Sequence, residues 1–123
     1  MPVVKLDKNA GAPVSKAPPP EIVISGDGSS TLWNAVDVGG GELLCGTWVG
    51  QPGELTVRPR AHHEVFVVAT GLIELQDVDG AVDRFGPGES GYVPKGWAGV
   101  WRNIEETQKT YVLIKSVNNE TAD

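Results

Sequence analysis

From residue 43 onward, apolar and polar positions alternate in short bursts separated by turn residues. Segments 43–48, 54–58, 64–69, 72–76, 82–85, 91–94, 100–103 and 110–117 each carry β-branched or aromatic residues, several of them at a period of two. A period of two places alternate side chains on one face of a strand, whereas a helix needs its apolar stripe every three to four residues, and that stripe is sustained nowhere. Residues 21–25 (EIVIS) read as an earlier strand, and 104–109 as either a helical turn or a loop. Turn chemistry falls between the bursts: Asp27-Gly28-Ser29-Ser30, Gln51-Pro52-Gly53, Asp79-Gly80 and Gly86-Pro87-Gly88. Asp79-Gly80 is the dipeptide of a type I′ hairpin. Many short strands at this spacing predict an all-β sandwich or barrel.

The first 20 residues differ from the rest. They are rich in Ala, Pro, Lys and Gly and end in Pro18-Pro19-Pro20. We read 1–20 as an extended or flexible arm. It is either a loose tail or a strand lent to a partner subunit through Val3-Val4-Lys5-Leu6. One barrel then occupies 21–117, and 118–123 reads as a frayed tail.

Composition narrows the function. A chain of 123 residues is one domain's worth and can bury a core without disulfides. Sixteen acidic residues against ten basic ones leave a net charge of −6, which repels phosphate backbones and argues against nucleic acid as a partner. No apolar run reaches membrane-spanning length, so no membrane partner is expected. Cys45 is the single cysteine, which rules out an intrachain disulfide and reads as a small buried hydrophobe. With no apolar leader at the start, a cytoplasmic setting follows. Gly86 through Gly91 matches G-x-G-x-x-G, but Tyr92-Val93-Pro94 follows instead of a helix, so it is a turn and not a dinucleotide site.

The most specific stretch runs from Gly88 to Asn103. It fits G-x5-P-x-G-x2-H-x3-N at Gly88, Pro94, Gly96 and Asn103, with Gly99 at the histidine position. That stretch is the second of two motifs in chain order. Glu64, six residues and Gly71 fit the back half of the first, G-x5-H-x-H-x3,4-E-x6-G. Its two histidine positions fall on Arg58 and Arg60 with the shorter gap and on Val57 and Pro59, a chemically less apt pair, with the longer. Gly46-Thr47-Trp48, Pro52-Gly53, Glu64-Val65-Phe66-Val67, the run from Pro94 to Trp101, and then Glu105, Lys109 and Tyr111 extend the match. Over about residues 43 to 115 the chain resembles the RmlC-like cupins, and within them single-domain cupins of the (S)-ureidoglycine aminohydrolase type. The resemblance implies an all-β, cupin-type double-stranded β-helix, a jelly-roll barrel.

It also implies where a site belongs. Cupin metals sit inside the barrel on three histidines and a glutamate, a donor set suited to Mn, Fe, Zn or Ni. Of these positions Glu64 alone keeps a ligand. Arginine has no lone pair to offer a metal, and Gly99 has no side chain. No metal cofactor is therefore expected. On an unbulged strand Arg58 and Arg60 share a face and could fork an anion, with Glu64 balancing their charge or holding an amine. The alternative is that both arginines reach the rim and pair with surface acids. Trp101, which shares strand parity with Gly99, and Tyr92 complete the expected wall. Trp97 belongs to a turn, facing inward or toward a partner. A different arrangement has His62 or His63 recruit a divalent metal with Glu64, although adjacent strand residues point to opposite faces.

The expected function is metal-free binding of a small polar or anionic metabolite by Arg58, Arg60, Glu64, Tyr92 and Trp101. The alternative is a metal-dependent hydrolase or amidohydrolase acting on a ureido or amino-acid-like compound, with Glu64 as its catalytic residue. A third reading is a structural dimer with a filled barrel. A homodimer is expected in any case, because open sheet edges need covering.

Overall fold

The computed structural model describes residues 2–117. Eleven strands account for nearly all of its regular structure. They are β1 (Pro13–Lys16), β2 (Val23–Gly26), β3 (Ser30–Val38), β4 (Leu43–Gly50), β5 (Gly53–Val57), β6 (His63–Thr70), β7 (Ile73–Asp77), β8 (Val82–Phe85), β9 (Ser90–Val93), β10 (Gly99–Asn103) and β11 (Thr107–Ile114). A 3-10 turn at Pro20–Ile22 precedes β2. All pairings are antiparallel. One sheet has the order β1-β3-β4-β11-β6-β9 and the other β2-β5-β10-β7-β8. Consecutive strands repeatedly fall in opposite sheets, as in a jelly roll.

Alternation decides what lies between the sheets. Along β6, Glu64, Phe66 and Val68 are buried while Val65 and Val67 are exposed. Thr107, Lys109 and Tyr111 face inward from β11, and Trp101 and Asn103 from β10. Phe66, Val68, Ile73, Leu75, Val93 and Trp101 form a continuous apolar core, with Val57, Phe85 and Trp97 packed against it. Phe66 touches Phe85 edge-on at 5.1 Å and Trp101 at 6.0 Å between ring centroids. Trp101 and Val57, at the margin of this core, also line a cavity that opens between the sheets.

Three elements depart from the sequence reading. The segment 30–38 is a full strand, next to the edge of its sheet and paired with β1 on one side and β4 on the other. Its alternation is masked because Asn34 takes an inward position and the register slips between Asn34 and Val36. Residues 13–16 within the expected arm form β1, which pairs with β3 of the same chain. Residues 104–105 form a bend, and 107–109 already belong to β11, which begins three residues earlier than expected. The expected hairpin at Asp79-Gly80 does connect β7 and β8, with Gly80 at φ 95°. The frayed tail assigned to 118–123 lies outside the described residues. Among the described residues no helix is long and apolar enough to cross a membrane.

Gly71, the last fixed position of the first motif, turns β6 into β7 at φ 96°, and a Cβ there would stand 2.4 Å from the carbonyl oxygen of Glu106. Gly71→Ala combines a left-handed backbone with a backbone clash and is expected to destabilise the barrel by more than about 1 kcal/mol. Urea denaturation of the two proteins measures it.

Candidate functional site

The cavity between the sheets has a volume of about 240 Å³. Its walls are apolar, built by Leu32, Trp48, Leu55, Val57, Trp101 and Leu113, and charge enters at Arg60, Glu64, Lys109 and Lys16. Glu64 sits at the centre of that charge and is 2% exposed. The alternation of β6 turns it inward, in line with Phe66 and Val68.

A carboxylate in a closed barrel is costly unless each oxygen is matched. Here each has its own cation. Oε1 accepts from Arg60 Nη2 at 2.6 Å, and Oε2 lies 2.7 Å from Lys109 Nζ. Burial alone would push the Glu64 carboxyl up; Lys109 and Arg60 more than offset it and hold it below the ordinary carboxylate range. Lys109 is 4% exposed. Burial pulls its amine below the ordinary lysine range, against the pull of Glu64. Its Nζ stands 4.1 Å from the ring centroid of Trp101, 4.3 Å from Trp48 and 5.2 Å from Phe66. Aromatic faces at these distances attract a desolvated cation.

Arg60 reaches the cavity because its backbone is clamped. Its N–H donates to the Trp97 carbonyl at 3.0 Å, and its own carbonyl accepts from Gly96 N–H at 2.8 Å. The Pro94-x-Gly96 turn of the second motif therefore fixes the loop that carries Arg60. The Asn103 side chain that ends the motif is buried. It accepts from Trp101 Nε1 at 2.9 Å and donates to the Gln51 carbonyl at 3.0 Å, which fixes the indole in the cavity wall. Tyr111 donates to Asn34 Oδ1 at 2.9 Å, and burial pushes its hydroxyl up to about 12.

The structure brings Arg60, Glu64 and Trp101 together at this cavity and places Arg58 and Tyr92 elsewhere. Arg58 is exposed and does not line it. β5 ends at Val57, so Arg58 and Arg60 do not share a strand face. Pro59 lacks an N–H for the ladder and restricts the residue before it, which takes the chain out of the sheet. Tyr92 is 59% exposed and points outward from β9, where its hydroxyl meets His63 Nδ1 at 2.8 Å and its ring stacks on the imidazole. His62 turns the other way, with Nε2 3.1 Å from the Gly41 carbonyl. His62, His63 and Glu64, the residues of the alternative metal arrangement, thus point in three directions. Among the described residues no group of three His, Cys, Asp or Glu is close enough to hold a metal ion. Both oxygens of Glu64 are already taken by cations, so the side chains gathered here are not those of a histidine-ligated centre.

Gly99 also has a definite replacement. A Cβ at this position would lie 2.2 Å from the Gln76 carbonyl oxygen and 2.6 Å from the Trp97 ring. Trp97 packs into that space and donates through Nε1 to Asp77 at 2.6 Å. Its indole therefore faces the barrel's own strands. Cys45 is half-buried, and burial pushes its thiol up, away from a reactive thiolate.

Lys109 and Lys16 are the charged cavity residues that the sequence reading missed. Thr107, Lys109, Tyr111 and Leu113 alternate on one face of β11, and extending that strand back to Thr107 would have drawn Lys109 inward.

The fold is that of a jelly-roll cupin, and at the four ligand positions of its motifs the chain carries Arg58, Arg60, Glu64 and Gly99. Residues 39–111 match the EutQ-like cupin domain (Cupin_3). The chain belongs to that family. None of the curated proteins matches its sequence. Among solved structures, it is similar to a Pseudomonas syringae protein of unknown function from the DUF861 family, at 26% identity and a TM-score of 0.77, over 88% of this chain and 46% of that one. The chain thus spans about half the length of that protein. It is similar in fold to the Clostridium difficile EutQ protein (17% identity, TM-score 0.62, 72% of this chain and 69% of that one). The same holds for ectoine synthase from P. lautus (14% identity, TM-score 0.62, 79% and 71%).

Two predictions follow from the buried network. Glu64→Gln leaves the buried Lys109 and the half-buried Arg60 without a counterion and should cost about 3–5 kcal/mol. Glu64→Gln with Lys109→Met should cost less than the sum of the single changes, because the second removes a charge the first has stranded. Urea denaturation of the four proteins gives the coupling. The second concerns acid. The folded carboxyl of Glu64 holds its proton less tightly than the unfolded one, so its contribution is complete above the ordinary carboxylate range and is lost as pH falls through the depressed value. The urea midpoint of the wild type should therefore drop more steeply than that of Glu64→Gln between about pH 5 and about pH 3.

Proposed function

We propose that this protein binds a small anionic metabolite in the barrel cavity, without the metal of other cupins. The observation that carries this is the charge of the lining. Lys16, Arg60 and Lys109 face the cavity against the single carboxylate of Glu64, in a chain whose net charge is −6. A cationic surplus inside an acidic protein selects anions by charge and steers them to the mouth. Arg60 is the docking group. Its side chain is 22% exposed, and Glu64 occupies one of its terminal nitrogens, which leaves further donors of the planar fork for a carboxylate or phosphate. Trp48 and Trp101 supply the apolar wall that holds the rest of a small ligand.

The ureidoglycine aminohydrolase likeness favours a ligand with an amino-acid-like carboxylate, which this lining suits. In this reading the two cations carry the charge that a divalent ion carries in a metal-bound cupin.

Titration with lactate, malonate and phosphate, followed by tryptophan fluorescence, tests the proposal, since Trp48 and Trp101 line the cavity. At least one of these anions should change the emission saturably. Arg60→Met should weaken that binding by about tenfold or more, the loss of a charge-assisted contact, and Arg58→Met should leave it within about twofold. No saturable change with any of the three, or equal loss in both variants, would refute the assignment.

A further inference from the structure

The geometry points to Lys109 as an amine that captures a carbonyl: a small 2-oxo acid seated with its carboxylate on Arg60 presents its carbonyl carbon to Nζ and forms an imine. This rests on the anion-binding reading above and names its ligand class more narrowly.

Three observations carry it. Lys109 is a buried lysine whose Nζ borders a cavity rather than solid core. Its other surroundings are the faces of Trp48, Trp101 and Phe66, so water competes poorly there for the amine and for a new C–N bond. A carboxylate oxygen stands 2.7 Å from Nζ and an arginine binds the other oxygen of the same carboxylate. That places a proton acceptor and an anion-docking group on either side of one point. Desolvation and a neighbouring cation are the two conditions that free a lysine amine for attack on carbonyls, and Lys109 has both in its geometry: it is buried, and the guanidinium of Arg60 sits on the same carboxylate.

The step balances within the site. The ammonium passes a proton to Glu64 Oε2, and the neutral nitrogen adds to the carbonyl carbon. The carbonyl oxygen collects two protons in all, both originating on Nζ, and leaves as water. The product is a protonated imine, positively charged like the ammonium it replaces. It therefore keeps its partner in Glu64. No oxidant, reductant or second substrate is consumed.

The test uses the full chain, pyruvate and sodium cyanoborohydride at neutral pH, with intact mass and peptide mapping as the readout. One reduced pyruvyl group should appear on Lys109. The exposed Lys5, Lys8, Lys95 and Lys115 should react at least about tenfold more slowly, lacking a desolvated site. Lactate has the carboxylate but no carbonyl, so it should slow labelling of Lys109 and leave that of Lys5, Lys8, Lys95 and Lys115 unchanged. Lys109→Arg keeps the charge and should lose the adduct; mapping of the wild type stands whether or not that variant folds. If pyruvate and lactate both perturb the tryptophans while Lys109 is labelled no faster than the surface lysines, the imine is refuted and the anion reading survives. If pyruvate, lactate, malonate and phosphate all leave the tryptophans unchanged, both fall together.

Discussion

Glu64 is a carboxylate enclosed between two sheets, and the cavity is arranged around the need to neutralise it. Its cations come from two different places, Arg60 from the loop after β5 and Lys109 from the middle of β11. Each is fixed in turn. Arg60 is held by backbone bonds to the turn at Gly96 and Trp97, and Lys109 by ring faces from β4, β6 and β10. One charge thus ties together four strands and two loops. Removing a partner strands the others in a medium that cannot solvate them, which is why breaking a buried pair costs more than the pair contributes by forming.

The same network explains how a cupin barrel can keep its shape with its histidine positions changed. A side chain at 99 has no room, because Trp97 and the Gln76 carbonyl fill the place. Arg60 stands at another of the histidine positions, and Lys109, from a strand that lies outside both motifs, completes the set. The outside of the barrel is organised differently. On the outer face of the second sheet Arg102 bonds Glu54, Glu74 and Gln76, and Arg84 joins Glu74. These pairs, half-buried at Arg102 and exposed at Arg84, keep that face polar. Charge is a surface ornament there, while inside the cavity it is structural.

How much of this the sequence discloses depends on whether local pattern and tertiary demand agree. Glu64 and Trp101 were legible because strand alternation and motif position both turn them inward. The β7–β8 hairpin was legible because Asp79-Gly80 specifies its own turn. β3 was hidden by an inward Asn34 whose partner, Tyr111, lies far along the chain; an inward polar residue reads as outward until that partner is known. Arg58 was misplaced because the strand was carried past Val57 although Pro59 signals its end. Lys109 was passed over for the opposite reason: a strand started three residues late leaves a lysine in a loop, where lysines usually belong. Tyr92 shows that a signature stretch contains positions on both faces of its strand, and alternation with the buried Val93 was the signal that it points outward.

The cavity draws on both ends of the chain, with Lys16 on β1 and Tyr111 and Leu113 on β11. β11 itself lies between β4 and β6, strands that must wait for the C-terminal part of the chain before their sheet is complete. Non-local pairings of this sort are slow to form, because the closure entropy is spent before the contacts return it. Emerging from the ribosome, the apolar faces of β4 and β6 must stay unpaired with each other until β11 arrives. The cavity is therefore complete only once β11 has paired with β4 and β6 on either side.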